Sequence, residues 1–260
     1  MTCAHSPVKL AVAGKGGAGK SVLAGTLARV WARRGHRVLA LDSDFMPGLA
    51  ISLGAQAPRE PPLNAAAERG EDGRWRLKRG IGPVRAVERF ATVAPDGVRL
   101  LQAGKFGPEG LAPIMPAVQA FYRVVHGLRR APAFRGWTVV GDLPAGPRQA
   151  AFDWAPYADT VLVAAEPTWT SALTAGRIAR IARSRVVDVV FVATKVGGAG
   201  DLRLIERLLG EAVLAAIPLD DAVSAAERAG LAPIDSAPHS PAVRAVERLA
   251  DALAGHHGSG

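Results

Sequence analysis

A doubly wound α/β fold, with a mostly parallel central sheet and helices on both faces, is predicted by three features of the sequence. Short apolar runs alternate with longer stretches of helical period, the pattern of strands joined by crossover helices. Those runs are nearly continuous in apolar residues, as strands buried on both faces require. The first of them leads into a glycine-rich loop, Gly14 to Ser21, that opens the first helical stretch. In order, the expected strands are Val8-Ala13, Arg37-Leu41, Val98-Gln102, Thr138-Gly141, Thr160-Ala164, Val187-Ala193 and Ala212-Ile217. The expected helices are Lys20-Arg34, Pro116-Arg129, Ser171-Arg183, Leu202-Leu209, Asp221-Ala229 and Pro241-Leu253. Between Ala57 and Asp96 the alternation breaks in a stretch rich in Pro, Gly and Arg, with PREPP and RWRLKRGIGP inside it. A structureless loop of that length is unusual in a compact domain, so this region is expected to carry local structure or to dock on a partner.

At 260 residues the chain can bury a core unaided, and one domain over 1–260 with an insertion at about 57–96 is expected. Cys3 is the only cysteine, which excludes an internal disulfide and an intrachain Cys cluster, and points to a reducing, cytoplasmic setting. The start MTCAHSPVK lacks a charged region followed by a long apolar stretch, and runs such as Val161 to Ala165 are too short to span a bilayer. Neither export nor a membrane span is expected. The net charge of +9 comes from 26 Arg and 6 Lys against 23 acidic residues. Such a balance suits an acidic partner or nucleic acid, and it equally suits a codon bias toward Arg and Ala.

The loop has the spacing G-x4-GK[ST] in Gly14, Gly19, Lys20 and Ser21, between a strand and a helix. Glycines there let backbone N–H groups turn inward around phosphates, and the helix N-terminus adds a favourable dipole. Lys20 is expected to reach the β and γ phosphates, and Ser21 to ligate Mg2+ through its hydroxyl. In LALDSDFMPG, Asp42 and Asp44 stand just past the second strand, where a carboxylate can orient water or hold hydrated Mg2+; Asp42 can instead close the turn. In TVVGDLPAG, Asp142 follows another apolar strand and leads into a Pro/Gly turn. Lys15 adds a second ammonium to the loop, which in cis would attract a triphosphate.

With Lys15 included, KGGAGKS resembles the deviant Walker A loop, KGGxGK[ST], of the ParA/MinD superfamily of dimerising switch ATPases. The resemblance implies Mg-ATP hydrolysis by a homodimer in which Lys15 reaches the partner's phosphates. It implies a phosphate cradle of Gly14, Lys15, Gly16, Gly17, Ala18, Gly19, Lys20, Ser21 and Val22. Catalysis would fall to Lys15, Lys20 and Asp44, and Mg2+ to Ser21, Asp44 and Asp142, the last through water. Where the family has Asn-Lys after a late strand to read adenine, this chain has Thr194 and Lys195, and Thr offers only a hydroxyl. Pro218, Leu219 and Asp220 match the family's second base-contacting segment.

Within the superfamily the chain resembles most the nickel-insertion ATPases that mature carbon monoxide dehydrogenase. The stretches that carry this are DGVRLLQAGK (Asp96-Lys105), EPTWTSALTAGRIARIA (Glu166-Ala182) and the run from Ile217 to Ala250. Those ATPases have a metal-binding Cys-x-Cys-Pro turn after the first of these, whereas this chain reads Ala112-Pro113-Ile114-Met115-Pro116. Met115 is a weak thioether ligand that more often packs, and Cys3, His5, His36, His126 and His239 show no ligand spacing. The expected role is an accessory or maturation ATPase acting on a protein client, with the 57–96 insertion and the Pro113-Pro116 turn as client surfaces. An alternative is a DNA-associated partitioning ATPase, with Arg177, Arg180 and Arg183 on one helical face and Arg185 beyond them. The C-terminal Ala242-Leu253 reads as a packed closing helix and the end HHGSG is polar, unlike a membrane-binding tail.

Overall fold

The computed structural model describes residues 6–46, 48–56, 58, 60–105, 107–108, 110, 112–147, 154–185 and 187–256. Cys3, His5, His257 and parts of the 57–96 region (Ala57 and Arg59) lie outside the described residues. The strands are β1 (Lys9–Gly14), β2 (Val38–Asp42), β3 (Ala67–Arg69), β4 (Trp75–Leu77), β5 (Thr92–Val93), β6 (Arg99–Gln102), β7 (Thr138–Asp142), β8 (Thr160–Ala165), β9 (Asp188–Val196) and β10 (Ala215–Pro218). The helices are α1 (Lys20–Arg33), α2 (Leu49–Leu53), α3 (Pro83–Phe90), α4 (Met115–Leu128), α5 (Trp169–Arg183), α6 (Ala199–Leu209), α7 (Asp221–Ala229), α8 (Pro233–Ser236) and α9 (Pro241–His256).

Eight strands form one sheet in the order β10-β9-β8-β1-β7-β2-β6-β5, parallel throughout except for the short edge strand β5. Successive side chains of a strand point to opposite faces, and β1 shows what that does here. Leu10 and Val12 enter a core with Leu27 and Trp31 of α1 and Val246 and Leu249 of α9. Ala11 and Ala13 enter the opposite core, with Phe121 and Val124 of α4 and Ile178 of α5. The sheet is therefore covered on both faces, as the unbroken apolar runs require. Because β1 lies mid-sheet between β8 and β7, the loop that leaves it opens at the centre of the sheet's C-terminal edge.

Several boundaries differ from the sequence reading. Pairing of β10 begins at Ala215 opposite Val192, not at Ala212. Residues 211–214 are spent crossing from α6, whose end is set by Gly210 in the left-handed region. α6 itself starts at Ala199, three residues early, and α5 starts at Trp169, two residues early, but ends at Arg183 as expected, so Arg185 stands past the helix. Within 57–96 the hairpin β3–β4 and helix α3, which starts on Pro83, supply ordered structure. Asn64 ties this region to α4: its Oδ1 accepts from the Ala117 amide at 3.0 Å and its Nδ2 donates to the Pro113 carbonyl at 3.3 Å.

α1 is anchored at its far end by a charged network. Arg29, 2% exposed, donates to Asp96 at 2.6 Å, to both oxygens of Asp235 at 2.9 Å and to the Leu53 carbonyl at 2.7 Å. Arg33 adds bonds to Asp96 and Asp235. Burial pushes the Asp96 carboxyl up, but the hydrogen bonds from Arg29 and Arg33 outweigh it and hold the group below its ordinary value. Its stabilisation is then fully present above the unfolded-chain pKa of about 4 and is lost as pH falls through the lower folded value. Asp96→Asn is expected to lower stability by about 1–3 kcal/mol at pH 7, because it weakens the pairing of a buried guanidinium. The difference from the parent should shrink at the acid end of a urea-denaturation series; a constant difference down to pH 3 would contradict this account.

Candidate nucleotide site

Gly14 hands β1 into the loop with a φ of 156°, and a Cβ there would stand 2.7 Å from the Ala164 carbonyl oxygen of β8. Only glycine passes so close to the neighbouring strand. Gly17 and Gly19 follow with φ of 84° and 74°, turning the loop so that α1 begins at Lys20. Lys20 is 7% exposed, and its Nζ donates to the Lys15 carbonyl at 3.4 Å, closing the loop on itself. Lys15 is half-buried, and among the described residues no hydrogen bond or ion pair holds its ammonium. The loop and the N-terminus of α1 form the concave backbone arrangement that accepts anions.

Beside the loop, Ser21 Oγ donates to Asp142 Oδ2 at 2.5 Å. Asp142 closes β7, is 1% exposed, and its Oδ1 is buried with no hydrogen-bond partner among the described residues. Burial raises this carboxyl to about 6, against the pull of the Ser21 hydrogen bond and the Lys20 charge. Directly across on β2 lies Asp42, fully buried and pushed well above the ordinary carboxylate range, first by burial and then by the Asp142 charge. Its oxygens are taken by the Asp44 amide at 3.2 Å and the Gln102 side chain at 3.4 Å, so Asp42 serves the turn. Asp44 is half-buried at the mouth, and its Oδ1 accepts from the Met46 amide at 3.0 Å. The sequence reading missed Ser43, whose amide and hydroxyl both donate to the Asp142 carbonyl and pin β2 to β7. A hydroxyl and an orphaned carboxylate oxygen, side by side, are the hard oxygen donors that suit Mg2+.

Thr194, Lys195, Pro218, Leu219 and Asp220, placed together by the sequence reading, line one pocket with Gly19 and Val22 of the loop and α1. Its apolar walls include Leu23, Ile217, Val243 and Val246. Lys195 is turned toward the loop: it sits at φ 54°, donates to the Gly17 carbonyl and pairs with Glu166 at 2.9 Å. Glu166, just past β8, was not anticipated; a carboxylate at the C-terminal end of a central strand was the available signal. Thr26 was also missed, although a hydroxyl within the apolar stripe Leu23, Leu27, Val30 marks it. His36, His126 and His239 do not converge, and among the described residues no three His, Cys, Asp or Glu side chains gather as a metal site. Among those residues, too, no helix is long and apolar enough to cross a membrane.

Comparison with known proteins agrees with this geometry. The model of the CobQ/CobB/MinD/ParA nucleotide binding domain family matches residues 9–234. The carbon monoxide dehydrogenase accessory protein CooC of Rhodospirillum rubrum is 29% identical over 244 residues, covering 89% of this chain and 91% of that protein. An uncharacterized ATP-binding protein of Methanocaldococcus jannaschii is 26% identical over 234 residues, covering 86% and 90%. Among solved structures, the septum site-determining protein MinD of Pyrococcus horikoshii, complexed with Mg-ADP, superposes with a TM-score of 0.71 at 16% identity, covering 97% of this chain and 96% of that one. With a family model matching residues 9–234 and a fold that superposes over nearly the whole chain, the chain belongs to the CobQ/CobB/MinD/ParA family of nucleotide binding domains and has the P-loop NTPase fold.

Proposed function

We propose that the chain is a Mg-ATP hydrolase that dimerises around its nucleotides and acts as a switch on a protein client. The observation that carries the chemistry is the Ser21–Asp142 pair with its orphaned Oδ1, set beside the buried Lys20. Water attacks the γ-phosphorus, the bond to the β–γ bridging oxygen breaks, and ADP and phosphate leave. Lys20 and the loop amides stabilise the charge that builds on the leaving group, and Asp44 orients the water. Ser21 and Asp142 would hold Mg2+, which when bound neutralises charge on the phosphate oxygens.

The trans role of Lys15 rests on its free ammonium and on the resemblance of its loop. Large apolar side chains stand exposed at the same edge of the sheet: Met46 (81%) beside Asp44, and Trp169 (66%) and Leu173 (52%) one turn apart on α5. An interface between two copies at this edge would cover them. Lys15→Ala is expected to keep ATP bound but to lose the ATP-dependent dimer and most turnover. Light scattering of the parent and the variant, with and without ATP, checks this; an ATP-driven dimer in the variant would remove Lys15 from the trans role.

As client surface we take the exposed described residues of the 57–96 region and the Pro113-Pro116 turn, which Asn64 ties together. CooC, by its name, serves carbon monoxide dehydrogenase; here the single cysteine, Cys3, gives no thiolate pair for that kind of metal turn, and Met115 is a half-buried first residue of α4. A DNA-associated role draws on the exposed Arg177 and Arg180. Arg183, third in that stripe, is held by both oxygens of Glu211 at 2.6 Å, which leaves a weaker phosphate-binding face than the sequence suggests.

A further inference from the structure

The base pocket holds two buried hydroxyls that no group among the described residues satisfies. Thr26 of α1 is 1% exposed and Thr194 of β9 is 4% exposed; both line the pocket, and neither Oγ1 has a hydrogen-bond partner. A buried hydroxyl without a partner costs about 1–3 kcal/mol, so two of them in one cleft point to a ligand that supplies the missing bonds. Resting on the nucleotide reading above, we propose that Thr26 and Thr194 read the base, and that they accept adenine and guanine alike. The substrate class is then purine nucleoside triphosphates, not ATP alone.

Strong discrimination between purines needs a fixed pattern of donors or acceptors that the wrong base leaves unpaired. An amide fits the donor–acceptor edge of adenine, and a carboxylate fits the paired N–H groups of guanine. Among the described residues, no Asn or Gln lines this pocket, and its carboxylates are those of Asp220 and Glu227. Both oxygens of Asp220 are engaged, by the Ala222 amide at 2.9 Å and the Ala242 amide at 3.0 Å. Glu227 lines the pocket from the exposed side of α7, where solvent screens its charge, and Lys195 is held by Glu166 and Gly17. The buried side-chain groups that remain are a pair of hydroxyls, each of which donates or accepts by rotating about its C–O bond. The apolar walls then select a flat purine by shape and leave its polar edge to groups that adapt.

The test is isothermal titration of the intact chain with ATP, GTP and CTP in Mg2+, repeated on Thr26→Val and Thr194→Val. Valine keeps the shape of threonine and removes only the hydroxyl. The parent should bind ATP and GTP within about tenfold of each other, and each variant should bind both about 3- to 10-fold more weakly. CTP, held mainly through its phosphates, should change by less than about twofold. The melting temperature of the nucleotide-free variants should equal or exceed that of the parent, since an unsatisfied hydroxyl has gone; this separates a lost base contact from a lost fold. A parent preference of more than about tenfold for either purine, or valine variants with parental affinities, would overturn the assignment while leaving the nucleotide site intact. If none of the three triphosphates binds, the nucleotide reading itself fails, and this inference with it.

Discussion

Lys20→Ala is expected to weaken Mg-ATP binding by at least about 100-fold while changing the melting temperature little. The lysine is the first residue of α1 and is almost buried, so its ammonium would act on phosphates through a medium that screens poorly. Unit charges about 4 Å apart interact with about 4 kcal/mol at an effective dielectric constant near 20, which corresponds to roughly a thousandfold in affinity. Loop amides and the helix dipole remain in the variant and retain part of the attraction, which is why the expected loss is smaller. Stability should change little because the side chain makes one long hydrogen bond, to the Lys15 carbonyl, alanine is a good helix former, and the Asp142 carboxylate that loses the Lys20 charge keeps its Ser21 hydrogen bond. Calorimetric titration with ATP and Mg2+ measures the first quantity and a thermal melt the second. A variant binding ATP within tenfold of the parent would mean that the loop amides, not Lys20, dominate phosphate recognition.

How much of this was legible in the sequence follows from where the signals lie. The central strands were legible because burial on both faces leaves only apolar residues, as in Val38 to Leu41 and Val161 to Ala165. The loop, Ser21 and Asp142 were legible because each follows a strand of that kind, and parallel strands deliver their C-terminal ends to one edge. Ala212 to Leu214 misled because alanine carries little preference for strand over turn, and only pairing with β9 decides where β10 begins. α3 was in the sequence as Pro83 at the first position with Val87 and Phe90 spaced behind it, but arginines at 85 and 89 obscured the stripe. The Glu166–Lys195–Gly17 contact and the Asn64 clamp on α4 were not legible at all. They join residues far apart in the chain through strand order, and no local periodicity encodes them.

Asp142→Asn is expected to make the nucleotide-free protein more stable and nearly inactive, two outcomes from one cause. At neutral pH the carboxylate is ionised in a place that disfavours ionisation, since burial has raised it to about 6 from the ordinary value near 4. Between those values the folded chain binds a proton that the unfolded chain releases, so this group's contribution to stability falls as pH rises from about 4 to 6 and stays low above it. Asparagine still accepts from Ser21 Oγ but carries no charge, which removes a penalty of up to about 3 kcal/mol at pH 7.5. Melts from pH 5 to pH 8 should show the variant gaining on the parent as pH rises. Turnover should fall by about 100-fold or more, because a neutral amide is a poor substitute for a carboxylate on Mg2+ and the Mg2+-dependent part of ATP affinity goes with it. A carboxylate kept where it costs stability, with one oxygen orphaned, is what a site organised for a cation looks like before the cation arrives. An Asn variant that hydrolyses ATP at the parent rate, or that melts lower than the parent at pH 7.5, would show instead that Asp142 belongs to the fold and not to the chemistry.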